Sequence, residues 1–500
     1  MLLLGLDVGT TGAKAIVFTP RGEAVGSAFR EYGVTHTPEG YAEQDAEAIW
    51  TIACEVLRDA AQGCGSQIGA ISVSVQGDAV VPIGRDRRAI APVQLGMDYR
   101  GREEAALCGR LLGERALFDR TGMRPHPMNS IVKIFWALRR APEQYAHAWK
   151  YVTYSDYFLA KLGSDEIVID YTQASRTMAF DLREKCWSPE VLSVLGIDEE
   201  KLARPVPSCQ VVGVLSRPLA ESLGINPQAK LVTGGHDQTC AALGAGVIRP
   251  DLALDSHGTA EVLSTVFSAP RTNDRMFESF YPNYCSLLPD LYFSFSLNHT
   301  AGLLLKWFAE EFCRGDEAPA AAAGQSLYAW LFSHMRPGPA PLLVLPYLNG
   351  SGTPNCDLSQ TGVFAGLTLG TDRFDIAKAI VESLAFEARW NLECLREAGI
   401  PISALRAVGG GARTPAGLQL KADVLGVPVA SLKMREAACL GAAMAAGLAT
   451  GVYRSAEEAA SLVQIDRVYE PDPIAQDAYT RRYHAYRALC ARMQQSPANF

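Results

Sequence analysis

The stretch that most limits what this chain can become is LVTGGHDQTCAALGAG, residues 231–246, close to the midpoint of 500 residues. Leu231, Val232 and Thr233 read as the end of a short buried strand, Gly234-Gly235 as a turn needing unusual dihedrals, and the Ala-rich run from Thr239 as a helix start. Junctions of this kind, at the carboxyl ends of strands in open α/β sheets, are where ligands bind. This one carries a single acid, Asp237. Asp237 reads either as a helix cap or as a carboxylate aimed into a cleft.

The chain is about three times a typical domain in length, so two large domains or a duplicated one are expected. Hydrophobic residues make up 48% and charged residues 20%, which argues against disorder and coiled coil. A formal net charge of -8 without a basic block makes nucleic acid a poor partner. Twelve cysteines lie in apolar contexts with no CxxC pair, and they read as reduced, buried thiols. The apolar run over 2–6 is too short for a signal peptide or a membrane span and meets Asp7 at once. The expectation is a soluble, cytoplasmic protein with no membrane partner.

That first run predicts a strand, followed by a turn over 7–12 and a second strand over 13–18. Such a hairpin presents the backbone N–H groups of Gly9 and Gly12 and the hydroxyls of Thr10 and Thr11, which suits a phosphate tail, and Lys14 adds a cation. The GxxxxGK[ST] spacing is absent and no helix follows, so this is not a Walker A loop. A plain tight hairpin is the alternative. Helices are predicted over 46–61, 151–162, 298–308 and 375–397, the last with Ile376, Ile380, Leu384 and Ala388 near one face. A strand over 71–75 ends at Gln76-Gly77-Asp78. Another, over 405–408, runs into Gly409-Gly410-Gly411-Ala412-Arg413 ahead of a helix over 416–425, where three glycines let a flat ring approach the backbone. A small-residue helix over 437–448 and a terminal helix over 475–493 complete the chain. The latter places Tyr479, Tyr483 and Tyr486 to lock onto either the core or a partner subunit.

Taken together, Asp7-x-Gly9-Thr10-Thr11, Gly234-Gly235-His236-Asp237-Gln238, Gly258-Thr259 and Gly409-Gly410-Gly411-Ala412-Arg413 resemble the FGGY carbohydrate kinase family of the actin-like ATPase superfamily. Ser130-x-x-Lys133-Ile134-x-Trp136 is similar to that family's first signature, with Ala137 and Arg140 departing from it. Gly362-x-Phe364-x-Gly366-Leu367 with the following segment to Glu382 fits the second. The resemblance implies an α/β fold of two actin-like (ribonuclease H-like) domains, 1–247 and 248–500, facing each other across a nucleotide and sugar cleft.

It further implies ATP and Mg2+ as cofactors, with Asp237 as the general base and Asp7 organising the metal. Gly9, Thr10, Thr11, Lys14, Gly258, Thr259, Gly302, Gly410, Gly411 and Ala412 are the implied ATP contacts. Gln76, Asp78, Asp98, His236 and Gln238 would meet the sugar, with Arg100 holding the loop or the Asp98 carboxylate. A surface ion pair is the alternative for Asp98 and Arg100. Gly96 stands where the family often has an aromatic, and Ser351-Gly352 where it often has Glu-Arg. The segment 170–176 resembles a family stretch near the substrate pocket, or is simply a helix cap. The expected acceptor is a ketopentose or deoxyketose of the xylulose or fuculose type, with a polyol behind it. A non-catalytic nucleotide-binding regulator is the alternative of another class, and a homodimer is the expected assembly.

Overall fold

The computed structural model describes residues 1–495 and is built on two large mixed sheets, with helices and five small sheets of two or three strands about them. The first sheet holds β1 (Leu2–Val8), β2 (Gly12–Phe18), β3 (Ala24–Glu31), β4 (Ile68–Val75), β5 (Val211–Val214) and β6 (Lys230–His236), in the order β5-β6-β4-β1-β2-β3. The second holds β7 (Leu252–His257), β8 (Glu261–Phe267), β9 (Tyr284–Cys285), β10 (Tyr292–Asn298), β11 (Ala404–Val408), β12 (Val429–Leu432) and β13 (Ile465–Tyr469), in the order β9-β10-β8-β7-β11-β12-β13. β1 is apolar along nearly its whole length because it is central and covered on both faces, whereas β3 lies at an edge and is mostly exposed.

The two sheets share a five-strand plan. In the first, β3, β2 and β1 run antiparallel in sequence and β4 and β6 add in parallel. In the second, β10, β8 and β7 do the same and β11 and β12 add in parallel. The duplication is structural, for the halves do not visibly align in sequence. It makes the β7–β8 turn the counterpart of the β1–β2 turn, and the helix Ala437–Ala449 the counterpart of Asp237–Gly244. Those two helices pack against each other, and the former also covers β1, β4 and β6. Leu3, Phe18, Val232, Leu243, Leu440 and Met444 form the apolar cluster between them.

Local signals explain most element ends. Asp45 caps the helix Ala46–Ala61 by accepting from Glu47 and Ala48 N–H, and Asp372 with Asp375 forms a capping box on Arg373–Glu397. Four expectations are corrected. Gly234-Gly235 is no turn: β6 continues to His236, with a register shift between Val232 and Gly235, and a Cβ on Gly234 would sit 1.9 Å from the Val73 carbonyl oxygen. The glycines serve close approach, not chain reversal. The helix expected from 151 begins at Tyr154, after a short strand Lys150–Val152, and the one expected from 298 begins at Gly302, after β10. Cys186 is exposed, unlike the other cysteines, though all twelve are free.

The terminal helix Pro473–Gln495 locks onto its own core: Tyr479, Tyr483 and Tyr486 are buried, and the Tyr486 and Tyr347 hydroxyls both donate to Glu387. Among the described residues no helix is long and apolar enough to cross a membrane.

Candidate active site

The β1–β2 turn is cross-braced from β4. Gln76, just past β4, accepts from the Thr10 hydroxyl at 3.1 Å and donates to the Gly9 carbonyl at 3.4 Å, while Gln44 donates to the Thr10 carbonyl at 2.7 Å. Gln76, expected on the sugar, thus has its amide committed to shaping the turn. Asp7, one residue before the end of β1, accepts from Ser74 at 2.6 Å. Burial pushes its carboxyl up to about 6, with the Ser74 bond and Lys14 opposing the rise. Lys14 is paired with Glu436 at 2.7 Å, across from the start of the helix Ala437–Ala449.

Asp237 is the first residue of its helix, and His236 occupies the cap position. The helix start favours an ionised carboxylate, but burial, followed by the charge of Asp7, pushes Asp237 up to about 7; hydrogen bonds from Gln238 and the charge of Arg176 oppose this. Its side chain retains 29% exposure, so it is desolvated by the surrounding protein yet reachable. His236 lies 3.2 Å from the Asp237 carboxylate through Nε2 and 3.1 Å from the Tyr284 hydroxyl through Nδ1. Burial and the Arg176 charge hold this imidazole neutral, well below the usual histidine range.

Arg176, from the buried helix Tyr171–Arg176, pairs with Asp78, whose backbone is left-handed at φ 66°. Both side chains are buried, and the Asp78 Oδ1 and the Arg176 Nε and Nη1 lack protein partners. A Cβ on Gly77 would sit 2.7 Å from Arg176 Nε and 2.9 Å from His236 Nε2, so the glycine makes room for both. Arg176 and Tyr284 were not singled out from sequence. The segment 170–176 hinted at the first, but nothing local reveals that it reaches Asp78.

Asp98 departs from the sugar-contact reading, whereas Arg100 holds the Asp98 carboxylate, one of its two expected roles. The Asp98 side chain is wholly buried and accepts four hydrogen bonds, from the Arg100 backbone, Arg100 Nε and Nη2, and the Ala42 N–H. Arg100 also binds Glu43 at 2.5 Å and lies 3.9 Å from the Tyr41 ring centroid. The pair is a buried brace, not a surface ion pair. Lys133 is buried nearby, its amine pushed down to about 8 by desolvation.

The other half holds a cavity of about 450 Å3 lined by Gly258, Gly302, Gly410 and Gly411 together with Tyr328, Phe332, Leu384 and Lys421. A Cβ on Gly302 would meet the Gly258 carbonyl oxygen at 2.5 Å, and one on Gly411 would meet the His257 ring at 2.4 Å. Gly409 takes φ 87°, open to glycine at little strain. Thr259 is tied in through its carbonyl, which accepts from Leu303 N–H at 3.2 Å. Ala412 packs partly buried against the core and is not among the lining residues.

Beneath the cavity Asp255, His257 and Glu261 hold their ligand-type atoms within 4.8 Å, a spacing a cation could use. Lys421 supplies that cation: its ammonium donates to both Asp255 and Glu261. The paired charges raise the Lys421 amine above its usual range, and burial with the nearby ammonium pushes His257 down to about 4.

Residues 2–244 match the N-terminal domain of the FGGY family of carbohydrate kinases, and residues 253–450 its C-terminal domain. The chain is 31% identical to a glycerol kinase of Gloeobacter violaceus, with 94% of this chain and 92% of that one covered. It is 28% identical to a gluconokinase of Bacillus subtilis, covering 95% and 92%. A crystal structure titled xylulose kinase, from Rhodospirillum rubrum, superposes with a TM-score of 0.89 at 25% identity, covering 99% of each chain.

Proposed function

Because this chain belongs to the FGGY family of carbohydrate kinases, a family of phosphotransferases with an alcohol acceptor, we propose that it phosphorylates a ketopentose or deoxyketose, with Asp237 as general base. The observation that carries this reading is the carboxyl of Asp237, reachable, raised to about 7, and placed at a strand's end beside a buried Arg176–Asp78 pair. A base with a pKa near working pH is matched to deprotonating a hydroxyl. Asp237 takes the proton as the sugar oxygen bonds to the γ-phosphorus and the bond to the ADP oxygen breaks. Phosphoryl transfer otherwise needs positioning and charge neutralisation.

The nucleoside is assigned to the cavity of Gly258, Gly302, Gly410 and Gly411, with the two hairpin turns towards the phosphates. The charge of Asp7 raises the Asp237 carboxyl, and Lys14 is paired with Glu436. Carboxylate oxygens without a paired cation suit Mg2+, which Asp7 would hold through water. Bound there, the metal would neutralise phosphate charge. Asp78, His236 and Gln238 remain the proposed sugar contacts, the work is assigned to the cytoplasm, and closure of the halves excludes water. The 31% identity to a glycerol kinase favours a polyol as the second reading.

The test is ADP release from Mg-ATP across ketopentoses, deoxyketoses, polyols and sugar acids, with a no-acceptor blank. Release that depends on a ketopentose or deoxyketose supports the first choice. Dependence on glycerol or another polyol replaces it, and release on sugar acids alone overturns both.

A further inference from the structure

The short helix Tyr171–Arg176 is buried from Thr172 to Arg176 and packs against β6 and β9. Its cap, Asp170, accepts from the Thr172 and Gln173 backbone N–H groups at 3.0 and 3.1 Å, and also from the Thr172 hydroxyl. A threonine hydroxyl has one proton. Since that proton is given to Asp170, Oγ1 faces its other neighbour only as an acceptor, and that neighbour is the His236 backbone N–H at 2.7 Å. His236 is the residue immediately before Asp237, so this bond fixes the Gly235–His236 peptide, one residue ahead of the Cα that carries the carboxylate. The space around it is tight. A Cβ on Gly235 would lie 2.5 Å from Thr172 Oγ1.

We propose that Thr172, oriented by Asp170, is the positioning residue for Asp237. β6 stays in register with β4 to its end at His236 after a shift between Val232 and Gly235, but β5 pairs with it only as far as Val232, and the His236 N–H is met by the Thr172 hydroxyl. The side chain from an inserted helix takes that part. Two further bonds hold the helix: Gln173 donates to the Gln76 carbonyl at 3.4 Å, and Ser175 accepts from Cys285 N–H at 3.0 Å. The seat of the carboxylate is therefore set from outside its own strand and helix. This inference rests on Asp237 being the base.

The test compares Thr172→Val, which keeps shape but loses the hydroxyl, with Thr172→Ser, which keeps the hydroxyl, alongside Asp237→Asn, all on the acceptor found above. A misplaced catalytic group costs up to about 100-fold. The expected result is a kcat lower by about 10- to 100-fold in Thr172→Val with the KM values for acceptor and ATP within about twofold, and recovery to within about threefold in Thr172→Ser. A merely structural threonine would lower the melting temperature without this split or this rescue. A folded Thr172→Val with parental kcat, or a Thr172→Ser as slow as Thr172→Val, overturns the proposal while a slow Asp237→Asn leaves the base assignment standing. Asp237→Asn at parental rate overturns both. Should Thr172→Val not fold, Gly235→Ala intrudes on the same hydroxyl, and its parental kcat would equally overturn the proposal.

Discussion

Gly244 and Gly441 stand at the crossing of the two central helices, each against the backbone of the other: a Cβ on Gly244 would lie 1.9 Å from the Ala437 carbonyl oxygen, and one on Gly441 would lie 1.8 Å from that of Cys240. Helices can approach this closely only where side chains are absent. Gly441→Ala is expected to force them apart and cost about 1–3 kcal/mol, the usual cost of overpacking. Denaturant unfolding checks this through a lower midpoint. An unchanged midpoint would mean the crossing can slide.

Asp237→Asn is expected to lower kcat by about 10²- to 10⁴-fold, the usual contribution of a general base. Acceptor affinity measured calorimetrically should change little, since the amide keeps the size of the side chain.

The pH dependence follows from the same carboxyl. Protonated Asp237 cannot accept a proton, so kcat/KM should fall as pH drops through about 7 and level off above it. Initial rates from pH 5.5 to 8.5 at saturating Mg-ATP check this. A flat profile across that range, with chemistry limiting, speaks against a base raised to that value.

Gly302→Ala is expected to damage nucleotide use selectively. Its Cβ would meet Gly258 O at 2.5 Å, at the mouth of the second hairpin. The KM for ATP should rise while the KM for the acceptor stays near parental, and steady-state kinetics with each substrate varied in turn will separate the two.

Lys421→Met removes the ammonium that bridges two buried carboxylates, Asp255 and Glu261. Breaking a buried pair by deleting one member typically costs about 3–5 kcal/mol. Loss of stability should be larger at high pH: burial raises the Glu261 carboxyl, Lys421 opposes that rise, and once Lys421 is gone the raised acid is destabilising when deprotonated. Thermal unfolding at pH 6 and pH 8.5 reads this difference.

The sequence disclosed strand ends and helix faces wherever the signal was local. The turn after Val8, the long helix Arg373–Glu397 and the glycines before the helix Pro415–Leu425 were legible because turn chemistry and apolar spacing lie within a few residues. Gly234-Gly235 was misread because a glycine that permits close backbone approach and one that permits chain reversal look alike. Arg100 keeps its expected hold on Asp98, but the burial of the pair was not legible, since it depends on Ala42 and Glu43, far away in the chain. Arg176 and Lys421 were missed for the same reason: each finds its carboxylates 98 and more than 150 residues away.

The matched sheets are embellished at different joints. In the first, the long excursion leaves from the end of β4 and returns to the sheet at β5; in the second, β11 and β12 are joined by a single helix, and the long excursion falls instead between β10 and β11. Two units built on one strand plan thus carry their long insertions at different joints. One half can remodel what it grips without disturbing the hardware of the other, which gives such a chassis latitude to acquire new acceptors by drift in a single segment.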